Sequence, residues 1–263
     1  MNAPEVIASP TYELICGDVS DVLEAIGGYK MIFADPPDNL GVKYEGFDDH
    51  WGESGYYVRW LARMVEQAFP HCDILWLSYN ARWDFILKSE VDQQMMNADL
   101  IQAEKRTFVW RYTFGQHNKR DCGSGYRPIL RIMRRGTTLY PDAIRVQSQR
   151  QRNKDARANP AGRVPDDLWD FPRVCGTFKE RRTWFPCQHP ESLVERAVKL
   201  CCGPGDAVLD LFSGSGTTLR TCLRLGVSCT SVEISPFYCR KISEETGVPA
   251  MTWKNGELVL LEK

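Results

Sequence analysis

The chain of 263 residues has no apolar run approaching the ~20 residues that cross a bilayer, and its start, Met1 to Pro10, lacks both a basic opening and an apolar centre. No membrane span or secretory leader is expected, which places the protein in the cytoplasm. Only four histidines are present, none at ligand spacing, and the ten cysteines include no C-x-x-C pair. No metal site or disulfide framework is therefore expected, and buried free thiols in a reducing compartment account for the cysteines. There is no internal repeat, and no Gly-Lys-Ser or Gly-Lys-Thr to cradle a nucleotide phosphate. Net charge is almost absent at −1, yet its distribution is lopsided. From Arg127 to Arg163 the basic residues Arg127, Arg131, Arg134, Arg135, Arg145, Arg150, Arg152, Lys154, Arg157 and Arg163 face two acids, Asp142 and Asp155. Such segregation points to a polyanionic partner on one face, the alternative being a solvated basic loop.

What is present is enough for a sizeable core: 43% of residues are hydrophobic. Apolar runs predict strands over 12–16, 31–34, 73–78, 107–112, 129–133, 207–212 and 227–232. Between them, Tyr57, Trp60, Leu61, Met64, Val65 and Ala68 recur at helical spacing, as do Leu193, Val194, Ala197, Val198 and Cys201 after Pro190. Further helices are expected over 21–26, capped by Ser20, over 81–88, and after the glycine turn to about 225. Alternating strands and helices predict an α/β fold with an open, doubly wound, mostly parallel sheet. Residues 39–52 read as a mobile loop. The proline-broken, arginine-rich stretch 136–172 reads as an insertion with little core of its own, and Asn255-Gly256 reads as the turn of a hairpin in the tail.

Two stretches carry chemistry. In Met31-Ile-Phe-Ala-Asp-Pro-Pro-Asp a buried strand stops at Asp35, and Pro36 and Pro37 make the following corner stiff and extended. A fixed carboxylate and fixed carbonyl oxygens suit an exocyclic amine, which donates two hydrogens and can then turn its lone pair toward an electrophile. In Ala207-Val-Leu-Asp-Leu-Phe-Ser-Gly-Ser-Gly-Thr a strand ends at Asp210 and runs through a glycine turn into a helix, and the next strand ends at Glu233, about twenty residues past the turn. This is the arrangement of a nucleoside-cofactor half-site, with glycines admitting the ligand and the second acid accepting ribose hydroxyls. The third glycine of the dinucleotide fingerprint is missing, which fits a ligand with an amino group and a ribose but no phosphate, such as S-adenosylmethionine (AdoMet).

Asp-Pro-Pro at 35–37, Asp-Leu-Phe-Ser-Gly-Ser-Gly-Thr at 210–217 and Phe-Pro-Cys-Gln-His-Pro at 185–190 resemble, in that order, the AdoMet-dependent DNA amino-methyltransferases of the permuted β group. The resemblance covers 12–240. It implies a single Rossmann-like methyltransferase domain with a catalytic half (11–135), a target-recognition insertion (136–172), an AdoMet-binding half (183–240) and a C-terminal hairpin (248–263). It implies that Asp35 and the Pro36 carbonyl, with Pro37 and Asp38 completing the motif, take the target amine. Asp18 would face the cofactor adenine, Asp210 and the turn Phe212, Ser213, Gly214, Ser215, Gly216 and Thr217 would hold the methionine part, and Glu233 the ribose. Arg127, Arg145, Arg150, Arg152, Lys154, Arg157 and Arg163 would contact the phosphates of double-stranded DNA. Three departures stand out. Asp38 replaces the usual aromatic that stacks on the flipped base, leaving Tyr44, Phe47 and Trp51 as candidates for that ring, or polar contacts instead. Cys187 and His189 replace a usual Thr and Lys, and Tyr126-Arg-Pro-Ile129 resembles a His-Glu-Pro-Ile segment with its first two residues changed. In the family, aspartate before Pro-Pro is commoner for adenine N6 and serine for cytosine N4. Adenine N6 methylation of an extruded base is thus the expectation; cytosine N4 methylation, an RNA substrate, and an inactive AdoMet or nucleic-acid binding module are the competitors.

Overall fold

The computed structural model describes residues 9–94, 102–112, 118–254 and 256–262. In chain order the elements are β1 (Tyr12–Cys16), α1 (Val19–Ala25), β2 (Tyr29–Ala34), β3 (Lys43–Tyr44), β4 (Phe47–Asp48), α2 (Ser54–Ala68), β5 (Cys72–Ser78), α3 (Asp84–Gln94), β6 (Glu104–Arg111), β7 (Tyr126–Met133), α4 (Gln149–Arg152), β8 (Leu168–Asp170), α5 (Glu191–Cys201), β9 (Ala207–Asp210), α6 (Thr217–Leu225), β10 (Ser228–Glu233), α7 (Pro236–Thr246), β11 (Ala250–Lys254) and β12 (Glu257–Leu260). Ten strands form one sheet in the order β12-β11-β1-β10-β9-β2-β5-β7-β6-β8. The six from β11 to β5 are mutually parallel, while β7 and β12 run against their neighbours.

Both faces of the sheet are covered, which is why its central strands read as unbroken apolar runs rather than as alternations. On β2 and β5, Ile32, Ala34, Leu75 and Leu77 point to one core, with Tyr57, Leu61 and Val65 of α2. Met31, Phe33, Ile74 and Trp76 point to the other, with Leu193, Val194 and Ala197 of α5. The predicted stripe of α2 faces the first core, and Trp60 alone of its members stays half-buried. No helix among the described residues is long and apolar enough to cross a membrane.

The structure corrects several local expectations. Asp18, not Ser20, caps α1: its carboxylate accepts from the Ser20 N–H at 2.8 Å. The helix expected over 81–88 is a 3₁₀ turn at Ala81–Trp83 leading into the longer α3. The loop 39–52 contains the β3–β4 ribbon and is cinched by Asp49, a fully buried carboxylate that accepts from the N–H groups of Asn39, Leu40 and Val42 at 2.7, 3.0 and 3.2 Å. The tail hairpin forms, with Lys254 opposite Glu257, although Asn255 lies outside the described residues.

The largest correction concerns the insertion. It does contribute core: β8 pairs with β6 at the sheet edge, and Ile144, Trp169 and Phe171 are buried. Trp169 packs against Trp76 and Phe108 at ring distances of 5.5 and 5.1 Å, and the Arg196 guanidinium lies over its ring. Three residues of strand between prolines carry too little periodicity to be read, yet one fully buried indole anchors the segment. Trp169→Ala is expected to lower the unfolding free energy by roughly 3–5 kcal/mol, as large-to-small core changes do; urea denaturation measures this, and a loss below about 1 kcal/mol would remove the anchor role.

Candidate active site

The parallel register brings the two chemical stretches together. Phe33 of β2 and Ser231 of β10 both pair with Asp210 of β9, so Asp35, Asp210 and Glu233 leave the sheet at one carboxyl edge. From β9 the chain crosses to β10 on one side, and from β2 to β5 on the other, so a topological switch point lies between β2 and β9. There a single cavity of about 570 Å³ opens, lined by Asp35–Asp38 on one side and by Asp18, Asp210–Ser215, Thr217 and Glu233 on the other.

On the second side the two glycines of the turn are also required by packing, and Gly214 lines the cavity. Gly214 and Gly216 have φ of +53° and +77°, which favour glycine, and a Cβ on Gly214 would lie 2.7 Å from the Phe185 ring, one on Gly216 3.0 Å from Ile242. Their missing side chains make room for the protein's own packing, and the turn then opens α6 at the cavity. Asp210 and Glu233 are 2% and 8% exposed. Burial pushes both carboxyls up to about 7, against hydrogen bonds from Thr218 and the Phe212 N–H to Asp210, and from the Ser235 and Gly214 N–H groups to Glu233. Among the described residues no cation pairs with either, and the buried Ser213 hydroxyl has no partner. Acids and a hydroxyl left in this state suit a ligand that brings positive charge and hydroxyl groups. Asp18 lines the same side, with one carboxylate oxygen spent on capping α1.

The first side is an ion network. Asp35 pairs through Oδ1 with Arg127 Nη2 and through Oδ2 with His189 Nδ1, both at 2.7 Å. Burial would raise its pKa, but the charges of His189 and Arg127, with hydrogen bonds from His189 and Ser78, hold it at about 2. Asp38 pairs with Arg127 Nη1 at 2.5 Å and accepts from the Asn80 N–H at 2.9 Å; burial nevertheless lifts it above the usual carboxylate range. Ser78 Oγ lies 3.0 Å from His189 Nε2 and accepts from Arg127 Nε at 2.6 Å. The Pro37 carbonyl accepts from the Tyr57 hydroxyl at 2.7 Å, whereas the Pro36 carbonyl has no partner among the described residues and remains able to accept.

Arg127 is thus not a surface phosphate contact, because its own side chain is 11% exposed and its charge is taken up by two half-buried acids. The other basic positions divide. Arg145, Arg157 and Arg163 pair with Asp142, Asp155 and Asp166 at 2.7, 2.8 and 3.2 Å, each acid within three residues of its partner, and Asp166 lies just beyond the counted segment. Arg150, Arg152 and Lys154, on and just after α4, are exposed with no acidic partner among the described residues.

All three ring candidates line the cavity, but they are not equivalent. Trp51 stacks on Trp60 at 4.4 Å and Phe47 bridges it to Tyr44. Tyr44 faces Phe185 at 5.7 Å, Phe185 faces Tyr238 at 5.0 Å, and the Tyr238 hydroxyl accepts from the Glu45 N–H at 2.8 Å, which holds loop 39–52 over the glycine turn. Tyr112, beneath Arg173 at 5.2 Å and edge-on to Trp110, lines the Asp35 side as well. Its place after β6 gave no sign of this in the sequence; His189 was visible only as a departure from the motif.

The buried acids predict opposite pH effects on stability. Asp210 and Glu233 have folded pKa values above their unfolded ones, so their cost is absent below about pH 4 and complete above about pH 7; Asp35, held low, stabilises above about pH 4 and loses that as pH falls toward 2. Asp210→Asn is expected to raise the unfolding free energy of the ligand-free protein by roughly 2–4 kcal/mol at pH 8 and little at pH 4.5. Chemical denaturation at the two pH values checks this, and equal effects at both would refute it.

Known proteins show what such a site belongs to. The DNA methylase family N6_N4_Mtase matches residues 29–245. The DNA adenine methyltransferase YhdJ of Escherichia coli K12 is 30% identical over 232 residues, 80% of this chain and 73% of its own length. The type II methyltransferase M.ScaI of Streptomyces caespitosus is 25% identical over 256 residues, 89% of this chain and 82% of its own. In fold, the cytosine-N4-specific PvuII DNA methyltransferase is similar with a TM-score of 0.63 at 17% identity, covering 95% of this chain and 90% of its own. The M1.HpyAVI–SAM complex gives 0.62 at 14% identity, covering 90% of this chain and all of its own. With its Rossmann-like sheet, its Asp-Pro-Pro corner and its glycine turn, the chain belongs to the AdoMet-dependent DNA amino-methyltransferases that act on adenine N6 or cytosine N4.

Proposed function

We propose that this protein methylates adenine N6 in double-stranded DNA, on a base extruded from the helix. The observation that carries this reading is that Asp35 and the unpartnered Pro36 carbonyl share one cavity with the glycine turn, Asp210 and Glu233. AdoMet fits the second side of that cavity: Asp210 suits its ammonium group, Glu233 its ribose hydroxyls, and Ser213, Gly214, Ser215, Gly216 and Thr217 shape the turn beside it. When bound, AdoMet supplies an electrophilic methyl group. Asp35 and the Pro36 carbonyl then each accept one hydrogen of the target amine, which turns its lone pair toward the methyl donor and sets the reacting atoms in line. Held near pKa 2, Asp35 stays ionised and balances the positive charge that builds on the amine nitrogen as the carbon–nitrogen bond forms and the methyl carbon–sulfur bond breaks; it does not remove the amine proton beforehand, and the surplus proton passes to solvent after transfer. Pro36 and Pro37 keep the two acceptors fixed. Adenine is favoured by aspartate at the head of the motif and by the name of the Escherichia coli relative.

Purified protein, AdoMet and duplex DNA, followed by nucleoside analysis, test the reading: N6-methyladenine is expected, N4-methylcytosine would redirect it, and AdoMet binding without turnover would point to an inactive module. Asp35→Asn is expected to lower kcat by about 10²–10³ with AdoMet affinity retained, since Asp35 lies on the other side of the cavity. Arg150, Arg152 and Lys154 supply the phosphate contacts, so replacing all three by alanine should reduce the slope of log affinity against log salt by about 3; an unchanged slope would exclude them.

A further inference from the structure

Among the described residues two arginines line the cavity, and only one of them is spent. Arg127 is held by Asp35 and Asp38. Arg173 is half-buried, makes no ion pair and donates no side-chain hydrogen bond among the described residues; its guanidinium rests over the Tyr112 ring at 5.2 Å. Its backbone is nonetheless held in place. Phe171, two residues earlier, is buried, its N–H donates to the Arg111 carbonyl at 3.3 Å, and its carbonyl accepts from the Trp110 indole at 2.9 Å; Pro172 then leaves the chain little freedom before Arg173. The segment leaving β8 thus delivers a permanent charge and five N–H donors to the cavity wall, with no acceptor there to receive them among the described residues. A guanidinium lying on a ring keeps those donors free for an acceptor that arrives from outside.

The cavity itself calls for such a charge. Asp18, Asp35, Asp38, Glu45, Asp210 and Glu233 all line it, so a nucleotide brought to it meets acids, while a base that leaves the duplex carries its two flanking phosphodiesters to the entrance. His189 and Arg127 are already engaged with Asp35. Arg150, Arg152 and Lys154 do not line the cavity, so they serve the duplex whether or not a base has left it. Arg173 stands where the target base enters: the charges of Arg173, Arg127, Asp38 and Asp35 all reach the Tyr112 hydroxyl. We propose, resting on the function above, that Arg173 binds a phosphodiester flanking the extruded nucleotide. A planar guanidinium can give two parallel N–H donors to two phosphate oxygens, and its charge offsets the repulsion between that phosphate and the acids of the cavity. The contact forms only once the base has left the stack, so it favours the extruded state rather than binding in general.

The test removes the charge from each partner in turn. Once the methylated position in a duplex is mapped, that duplex is remade with one methylphosphonate, a neutral replacement for the phosphate, on the 5′ or the 3′ side of the target nucleotide. Wild type is expected to lose about tenfold in kcat/KM at one of these two positions, the loss of one charged hydrogen-bonding contact. Arg173→Gln is expected to lose about as much on the unmodified duplex and no more on the methylphosphonate duplex, whereas Arg173→Lys keeps the sensitivity of wild type. AdoMet affinity should be the same in all three proteins, which also shows that the variants fold. Wild type indifferent to both replacements, or Arg173→Gln as sensitive to them as wild type, overturns this role for Arg173. A loss of AdoMet affinity in Arg173→Gln with its methylphosphonate sensitivity unchanged overturns it too, and assigns the arginine to the methionine carboxylate. The wild-type arm needs no variant, so a glutamine variant that fails to fold still leaves the role open to refutation. None of these outcomes touches the function, which falls if wild type binds AdoMet but methylates no duplex, and this inference falls with it.

Discussion

Three acids leave the sheet at the same edge because β2, β9 and β10 run parallel and in register, and everything at the site follows from how their burial is compensated. Burying a carboxylate is costly unless something answers its charge. Asp35 is answered twice, by Arg127 and by His189, and is held at about 2. Asp210 and Glu233 are answered by backbone N–H groups and hydroxyls, and their carboxyls rise to about 7. One side of the cavity is thus electrostatically complete, and the other is complementary to a cation. That division suits a methyl donor of positive charge on one side and a neutral amine on the other.

Much of this was legible where periodicity and position carry information. The strand before Asp35 is apolar on both faces because both faces are covered, and the acid stands where the run ends. Glu233 could be placed from its distance past the glycine turn. The turn's glycines were legible as necessary, but one reason for them was not: Phe185 and Ile242, distant in sequence, occupy the space a side chain would need.

What stayed hidden depends on partners far apart in the chain. Arg127 was counted with a basic patch because charge counting gives no location, and its acids lie some ninety residues upstream. Trp169 sits in three residues of strand, too few for a period to show. Loop 39–52 looked formless, since the order comes from one buried carboxylate, Asp49, gathering three N–H groups, and such a knot leaves no pattern.

The joint burial of Asp38 and Arg127 also limits how this chain can diverge. Losing Asp38 leaves Arg127 with Asp35 alone, and losing Arg127 leaves Asp38 with only the Asn80 N–H, a cost of roughly 1–3 kcal/mol for groups that are half-buried rather than dry. A descendant that gained an aromatic at 38 would leave Arg127 short of one partner, so loss of the arginine alongside it is the less costly route. Residues 38 and 127 should accordingly tend to be inherited together, the mixed pairings, a ring with the cation or the acid without it, being the rarer ones.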